Sequence, residues 1–218
     1  MSRQIPIRSP LLCYVTDGLL GPNPSQVSIE ALFEKIAQAA NAGVDWIQIR
    51  EKDLPARQLA EISVETIRRS PKGCRILIND RLDVAIAVGA GGVHLGEKSV
   101  SVADARRLIS VQRNLNNFIV GASVHRLEAA LSNEKEGADY LVFGPVFDTP
   151  SKAAYGSSQG LQQLEKICRA ACIPVLAIGG ITQENAQECL YHGAAGIAAI
   201  RLFQESSNLE AWIQGFCR

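Results

Sequence analysis

The segment Pro174-Val175-Leu176-Ala177-Ile178-Gly179-Gly180-Ile181-Thr182 holds a short apolar run, then two glycines, then the start of a helical pattern. The apolar run is continuous and does not alternate with polar residues, which is typical of a parallel strand buried on both faces. An amphipathic pattern follows over residues 182–192. The segment therefore predicts one unit of a strand followed by a helix.

Seven further apolar runs repeat this unit along the 218 residues. The eight predicted strands are 11–15, 46–49, 75–78, 92–95, 118–121, 140–143, 174–178 and 196–200. The predicted helices are 28–42, 59–67, 101–109, 127–136, 161–171, 182–192 and 209–216. Eight such units in about 200 residues predict an α/β fold with a single closed (β/α)8 TIM barrel over residues 1–218. The alternative is an open doubly wound sheet, but no glycine-rich dinucleotide turn follows the first strand.

Composition excludes several classes of protein. The 22 basic and 22 acidic residues balance, which argues against a broad positively charged surface that binds nucleic acid or an anionic membrane. The six cysteines form no C-x-x-C pair and no zinc pattern, as expected for reduced thiols in the cytoplasm. Residues 1–10 lack the apolar stretch of a signal peptide, and no segment approaches the ~20 apolar residues of a membrane span. We expect a cytoplasmic protein with small-molecule ligands, and a homodimer is one state open to it.

Polar residues follow the predicted strands, and in a barrel such residues meet at the C-terminal rim. They are Thr16, Asp17, Gln48, Arg50, Glu51, Lys52, Asn79, Asp80, His94, Glu97, Ser123, His125, Thr149, Ser151, Lys152, Gly179, Gly180 and Arg201. Their cations, amides and hydroxyls predict a site for an anion, with room for a divalent metal.

Three of these residues, Gln48, Arg50 and Lys52, alternate along the second predicted strand. The spacing predicts that all three side chains point into the barrel towards a phosphate. The alternative is a rim salt bridge from Arg50 or Lys52 to Asp80. Asp80 itself is a candidate ligand for Mg²⁺, or else the N-cap of a helix over residues 81–89.

Further along the chain, the Gly179-Gly180 turn lets backbone N–H groups approach a phosphate, and a helix starting near Thr182 would add its dipole. Barrels commonly bind phosphate after strands seven and eight, where Arg201 would add a charge. His125 is a candidate general acid or base, with a helix-start role as the alternative. His94 lies inside a strand and is expected to be structural.

Six motifs stand in unbroken order between residues 11 and 203. They are Tyr14-Val15-Thr16-Asp17, Gln48-Ile49-Arg50-Glu51-Lys52, Asn79-Asp80-Arg81-Leu82-Asp83, Gly92-Val93-His94-Leu95-Gly96, Gly144-Pro145-Val146-Phe147 with Thr149 and Lys152, and Ala177-Ile178-Gly179-Gly180-Ile181. Together they resemble the thiamine phosphate synthase superfamily. In that family a single barrel joins a pyrimidine methyl pyrophosphate to a thiazole phosphate and releases pyrophosphate.

The resemblance implies a role for each matching residue. It implies pyrophosphate contacts from Gln48, Arg50, Lys52, Asn79, Ser123 and Lys152, with Mg²⁺ on Asp80. It also implies that the thiazole phosphate is held at Gly179, Gly180, Ile200 and Arg201, with Thr149 and Ser151 near the thiazole. Arg50, Lys52 and Lys152 would then neutralise the leaving pyrophosphate.

One departure from the family pattern concerns the metal. The family has a second metal-binding Asp where this chain has Ser99, and Arg201 replaces a usual serine. Ser99 with Ser123-Val124-His125 is similar to the thiazole tautomerase branch, which isomerises a thiazole carboxylate phosphate and in which His125 would shuttle the proton. Lys52 and Asp80 favour the transferase. The alternatives are the tautomerase and a non-catalytic barrel that binds a thiamine precursor.

Overall fold

The computed structural model describes residues 10–112, 115, 117–149 and 158–217. Eight parallel strands form a closed barrel in the order β1 to β8, and β1 pairs with both β2 and β8. The strands are β1 Leu11–Val15, β2 Trp46–Ile49, β3 Arg75–Asn79, β4 Gly92–Leu95, β5 Ile119–Val124, β6 Tyr140–Phe143, β7 Val175–Ile178 and β8 Gly196–Ala199. The predicted (β/α)8 barrel is confirmed, and the open sheet is wrong because β8 closes onto β1.

Helices connect consecutive strands on the outside of this barrel. In the described part of the chain they are α1 Gln26–Asn41, α2 Ala56–Arg69, α3 Leu82–Ala87, α4 Val102–Ser110, α5 Leu127–Lys135, α6 Gly160–Ala170, α7 Ala186–Tyr191, α8 Arg201–Glu205 and α9 Leu209–Phe216. The first helix begins two residues earlier than predicted, because the Ser25 side chain caps it by accepting the N–H of Ser28. None of the described helices is long and apolar enough to cross a membrane.

Two apolar layers hold the barrel together, and successive residues of each strand alternate between them. The inner layer fills the barrel and contains Leu11, Cys13, Val15, Trp46, Leu77, Ile119, Tyr140, Val142, Leu176 and Ala198. The outer layer lies between the strands and the helices and includes Leu12, Ile47, Ile49, Ile78, Val93 and Ile197. Because both faces of each strand are buried, the strands read as the continuous apolar runs seen in the sequence.

Strand β2 ends where the sequence predicts, and strand β5 ends three residues later than predicted; both ends affect the rim. Strand β2 stops at Ile49, so Arg50 and Lys52 lie beyond it, and the argument from alternation holds for Gln48 alone. The strand stops there because the N–H of Arg50 donates to the side chain of Thr16 and not to a neighbouring strand. Strand β5 runs on to Val124, so Ser123 lies within the sheet and not after it.

Candidate active site

A chain of polar side chains crosses the C-terminal rim from β2 to the loop after β4. The amide of Gln48 donates to Asn79 Oδ1 at 2.8 Å, and the amide of Asn79 donates to Asp80 Oδ2 at 2.7 Å. Asp80 Oδ1 accepts the hydroxyl of Ser99 and also the N–H of Gly96, the latter at 3.1 Å. The structure thus brings together Gln48, Asn79 and Asp80, which were predicted to meet at the rim, and Ser99, which the family resemblance aligns with a metal ligand.

The neighbours of Asp80 favour the charged form of its carboxyl. Partial burial alone would raise the pKa of its carboxyl. The hydrogen bonds from Ser99 and Gly96, the charge of Lys52 and the amide of Asn79 outweigh burial and lower the pKa below its usual value. The positive charge of Lys52 therefore contributes to the lowered pKa of Asp80.

Both alternatives considered for Asp80 are wrong. The N-cap position of α3 belongs to Arg81, and no side chain caps that helix end. Among the residues that the structure describes, no ion pair joins Asp80 to Arg50 or Lys52. Asp80 has a positive φ of 60°, which is uncommon for a residue other than glycine, and its carboxylate contacts the loop after β4.

The backbone of Arg50 is held through Thr16 by a buried acid, Glu51, which the sequence placed at the rim without a particular role. Glu51 is 3% exposed and accepts the Thr16 hydroxyl at 2.6 Å, the N–H of Leu20 at 3.0 Å and the N–H of Gly18 at 3.3 Å. Thr16 Oγ1 in turn accepts the N–H of Arg50 at 2.8 Å. Burial raises the pKa of Glu51, and the three hydrogen bonds partly offset this. The loop after β1 is thereby fixed against Arg50.

Ser123 is held by a histidine inside the barrel. His94 Nε2 lies 2.8 Å from Ser123 Oγ, and His94 Nδ1 lies 3.1 Å from the hydroxyl of Tyr140. Burial lowers the pKa of His94 to about 4, against a small opposing effect of Asp80. His94 is therefore buried within the sheet as expected, but it also contacts a candidate substrate-binding residue, which the sequence did not reveal.

The Gly179-Gly180 turn packs against the loop after β6. Gly179 and Gly180 have φ values of 98° and 64°. A Cβ on Gly179 would lie 2.5 Å from the Cα of Pro145, so this position requires glycine for packing alone. The N–H of Phe147 donates to the Gly179 carbonyl at 3.0 Å. Phosphate binding by this turn stays a prediction.

The predicted start of the helix after β7, near Thr182, is wrong. Helix α7 begins at Ala186, after a turn in which the N–H of Thr182 donates to Asn185 Oδ1 at 2.8 Å. The N–H of Thr182 thus has an internal acceptor, and the dipole argument for this turn fails because the helix starts four residues later.

Two more rim residues meet across the loops after β6 and β8. Arg201 Nη2 lies 3.4 Å from Thr149 Oγ1, and Ile200 is the N-cap of α8. Ser151 and Lys152, also predicted for this region, lie outside the described residues. His125 is not the N-cap of α5, a position held by Arg126, and its Nδ1–H donates to the carbonyl of Gly144.

The donor set for a metal is small. Within residues 10–112, 115, 117–149 and 158–217, no group of three or more His, Cys, Asp or Glu side chains converges. Asp80 offers one half-buried carboxylate, with the Ser99 hydroxyl beside it. Mg²⁺ is commonly held by one or two carboxylates together with substrate phosphates, so these residues fit a Mg²⁺ ion that arrives with a phosphorylated ligand.

A closed (β/α)8 barrel whose polar and charged side chains gather at the C-terminal rim has the arrangement of a barrel enzyme. The chain matches the family described as thiamine monophosphate synthase over residues 22–203, and it belongs to that family.

Relatives and a solved structure agree with this assignment. The chain is 45% identical over 170 residues to the putative thiamine-phosphate synthase of Geobacter sulfurreducens, covering 78% of each chain. It is 40% identical over 191 residues to the thiamine-phosphate synthase of Methanoculleus marisnigri, covering 87% of this chain and 85% of the relative. The thiamine phosphate pyrophosphorylase structure from Pyrococcus furiosus superimposes with a TM-score of 0.78 at 35% identity, covering 96% of both chains.

Proposed function

We propose that this chain is a thiamine-phosphate synthase. It transfers the pyrimidine ring with its 5-methylene carbon from 4-amino-5-hydroxymethyl-2-methylpyrimidine pyrophosphate to the ring nitrogen of thiazole phosphate. The products are thiamine phosphate and pyrophosphate. The observation that carries this proposal is the polar chain from Gln48 to Ser99, with Lys52 close enough to act on Asp80. It lies at the rim of a barrel with relatives named for this activity.

The bond that breaks joins the methylene carbon of the pyrimidine to a pyrophosphate oxygen. Its electron pair leaves with pyrophosphate, and the ring stabilises the resulting methylene cation. Arg50 and Lys52 neutralise the leaving group, and the amides of Gln48 and Asn79 and the hydroxyl of Ser123 donate to its oxygens. Lys152 has the same role by resemblance to the family.

The second substrate is placed on the opposite side of the rim. Gly179, Gly180, Ile200 and Arg201 hold the thiazole phosphate, and Thr149 and Ser151 lie beside the ring. The contact of Arg201 with Thr149 supports a shared site for these two residues. With the thiazole nitrogen held next to the methylene cation, coupling outruns hydrolysis because position and exclusion of water favour the bound nucleophile.

Asp80 is the residue that would hold Mg²⁺, with Ser99 next to it in place of a second acid. The ion would supply positive charge to the pyrophosphate oxygens. The lowered pKa of Asp80 agrees with this role, since the surroundings favour the charged carboxylate that a cation needs. Glu97 is exposed, whereas Ser99 contacts Asp80 directly, so Ser99 and not Glu97 occupies the position beside the acid.

The tautomerase alternative uses neither pyrophosphate nor metal. Lys52 lies close enough to Asp80 to lower its pKa, and such a pair of charges serves a bound pyrophosphate and a metal better than it serves an isomerisation. The same pair argues against a barrel that only binds a thiamine precursor.

Two further expectations belong with this function. We place the protein in the cytoplasm, which agrees with its free cysteines, three of which are weakly acidic because burial raises the pKa of Cys74, Cys168 and Cys189 to about 12. A homodimer is one state open to the protein, and sedimentation of the purified protein would test it.

Substitution of one lysine at the rim tests the role given to its charge. Lys52→Ala should lower kcat/KM for coupling about 100-fold, because one preorganised charge on the leaving group is lost. The matched control is Lys98→Ala, since Lys98 is exposed in the loop after β4 and is given no role. Its kcat/KM should stay within about twofold of wild type. Equal activity of the two variants would remove Lys52 from the mechanism.

A further inference from the structure

Three neighbouring strands bring a tyrosine and a histidine together across a glycine. In the sheet register, Gly121 of β5 pairs with His94 of β4 on one side and with Tyr140 of β6 on the other. A Cβ on Gly121 would lie 2.0 Å from Cζ of Tyr140, so the phenol ring occupies the space that a side chain on β5 would take. The ring therefore crosses β5, and its hydroxyl reaches His94 two strands away.

The buried hydroxyl of Tyr140 decides which nitrogen of His94 carries the proton. Tyr140 is fully buried, and within the described part of the chain its hydroxyl has one hydrogen-bond partner, His94 Nδ1 at 3.1 Å. If Nδ1 carried a proton, the phenol proton would be buried without an acceptor, which is costly. Nδ1 is therefore the acceptor. An imidazole whose Nδ1 carries no proton is neutral and has its one proton on Nε2.

This tautomer sets the direction of the next hydrogen bond. His94 Nε2–H donates to Ser123 Oγ at 2.8 Å, so the serine oxygen is an acceptor in this contact. The Ser123 hydroxyl proton is then left for another partner, and Ser123 is half-buried with no other hydrogen bond among the described residues. In the opposite tautomer Ser123 would donate to His94 and would present only lone pairs to a ligand.

We propose that Tyr140 and His94 are positioning residues that commit the Ser123 hydroxyl to donate its proton to an anionic oxygen of the ligand. The identity of that anion as pyrophosphate rests on the proposed function, whereas the direction of the hydrogen bonds rests on the geometry alone. The imidazole adds no charge to the site. It makes Ser123 selective for an acceptor, and an anionic oxygen is the strongest acceptor available.

The tautomer is measurable in the wild-type protein. The chain has three histidines, His94, His125 and His192, so long-range ¹H–¹⁵N correlation spectra of ¹⁵N-histidine-labelled protein are simple to assign with single His→Gln variants. At pH 7.5 we expect His94 to show a protonated Nε2 and an unprotonated Nδ1. A protonated Nδ1 would overturn the proposal, and this measurement depends on neither a variant at Tyr140 nor any enzymatic activity.

The functional consequence is tested with Tyr140→Phe and inorganic pyrophosphate. The phenylalanine ring keeps the edge contact with Trp46 and removes only the hydroxyl. We expect His94 to lose its preference for the Nε2–H tautomer. The calorimetric Kd for pyrophosphate with Mg²⁺ should then rise about twofold, because equal tautomer populations halve the fraction of molecules in which Ser123 is free to donate. Because Tyr140 acts through Ser123, Tyr140→Phe should have no effect on Kd in a Ser123→Ala background.

Tyr14→Phe is the matched control. Tyr14 is an equally buried tyrosine of the barrel, and its hydroxyl accepts the amide of Gln204 at 2.9 Å. The Tyr14→Phe substitution should leave the His94 tautomer unchanged. An unchanged pyrophosphate Kd in Tyr140→Phe, or an equal loss in the Ser123→Ala background, would overturn the proposal. Absence of coupling activity in wild type would instead refute the proposed function and leave the tautomer result standing.

Discussion

Replacing Thr16 with valine should destabilise the protein strongly, although the two side chains have nearly the same shape. Thr16 is fully buried, and its hydroxyl makes two hydrogen bonds. It donates to Glu51 at 2.6 Å and accepts the N–H of Arg50 at 2.8 Å. Valine removes both bonds and leaves the N–H of Arg50 without its acceptor.

The magnitude follows from the two losses. A hydrogen bond to a charged group contributes about 1.5–3 kcal/mol, and a buried polar group left unpaired costs about 1–3 kcal/mol. We expect Thr16→Val to lower the free energy of unfolding by about 3–5 kcal/mol. Because Thr16 also fixes Arg50, kcat/KM for coupling should fall about tenfold in the fraction that stays folded, the effect of one misplaced charge-assisted contact.

Thr66→Val is the control for the change of hydroxyl to methyl. Thr66 is equally buried in α2, but its hydroxyl has no hydrogen-bond partner within the part of the chain that the structure describes. Its replacement should be neutral or slightly stabilising. Urea unfolding of both variants gives their free energies of unfolding, which are comparable if the dependence of the free energy on urea concentration matches that of wild type. Equal destabilisation by the two substitutions would refute the role given to the Thr16 hydroxyl.

Three further outcomes are expected. Gly179→Ala should lower the free energy of unfolding by about 2–4 kcal/mol, since the new Cβ would meet Pro145. Gly73 has a similar φ but nothing within 4 Å of an added Cβ, so Gly73→Ala should cost less, and equal losses of Tm would contradict this. Burial of neutral His94 should make the free energy of unfolding fall by about 3 kcal/mol between pH 6.5 and pH 4, because the unfolded chain binds the proton first. If urea unfolding of His94→Gln shows the same loss of stability over this pH range, His94 is not its cause. Lys152→Ala should cut turnover heavily with little change in Tm, and a fully active variant would exclude its role at the leaving group.

The barrel could be predicted because each of its strands leaves a pattern in a short stretch of sequence. Each strand is buried on both faces by the helices, so it appears in the sequence as a continuous apolar run whatever its partners are. The rim residues followed from topology, since the ends of parallel strands meet on one face. That argument placed Gln48, Asn79 and Asp80 together without any knowledge of side-chain conformation.

The remaining contacts depend on register and packing between strands, which no local pattern encodes. Glu51 reads as an ordinary charged residue after a strand, and its burial arises only when the loop after β1 folds over it. Tyr140 reads as a core aromatic, and its contact with His94 requires a gap on the intervening strand. Gly121 inside an apolar run was the one sequence signal for that gap, since glycine in a strand often marks a close approach.

The most direct measurement is the coupling reaction itself. Purified wild-type protein should form thiamine phosphate and one equivalent of pyrophosphate from the pyrimidine pyrophosphate and thiazole phosphate. A chelator should stop the reaction, and excess Mg²⁺ should restore it. If the protein with Mg²⁺ forms no thiamine phosphate from these substrates but isomerises thiazole carboxylate phosphate, and loses that activity in His125→Ala, then it is a tautomerase and the function proposed here is wrong.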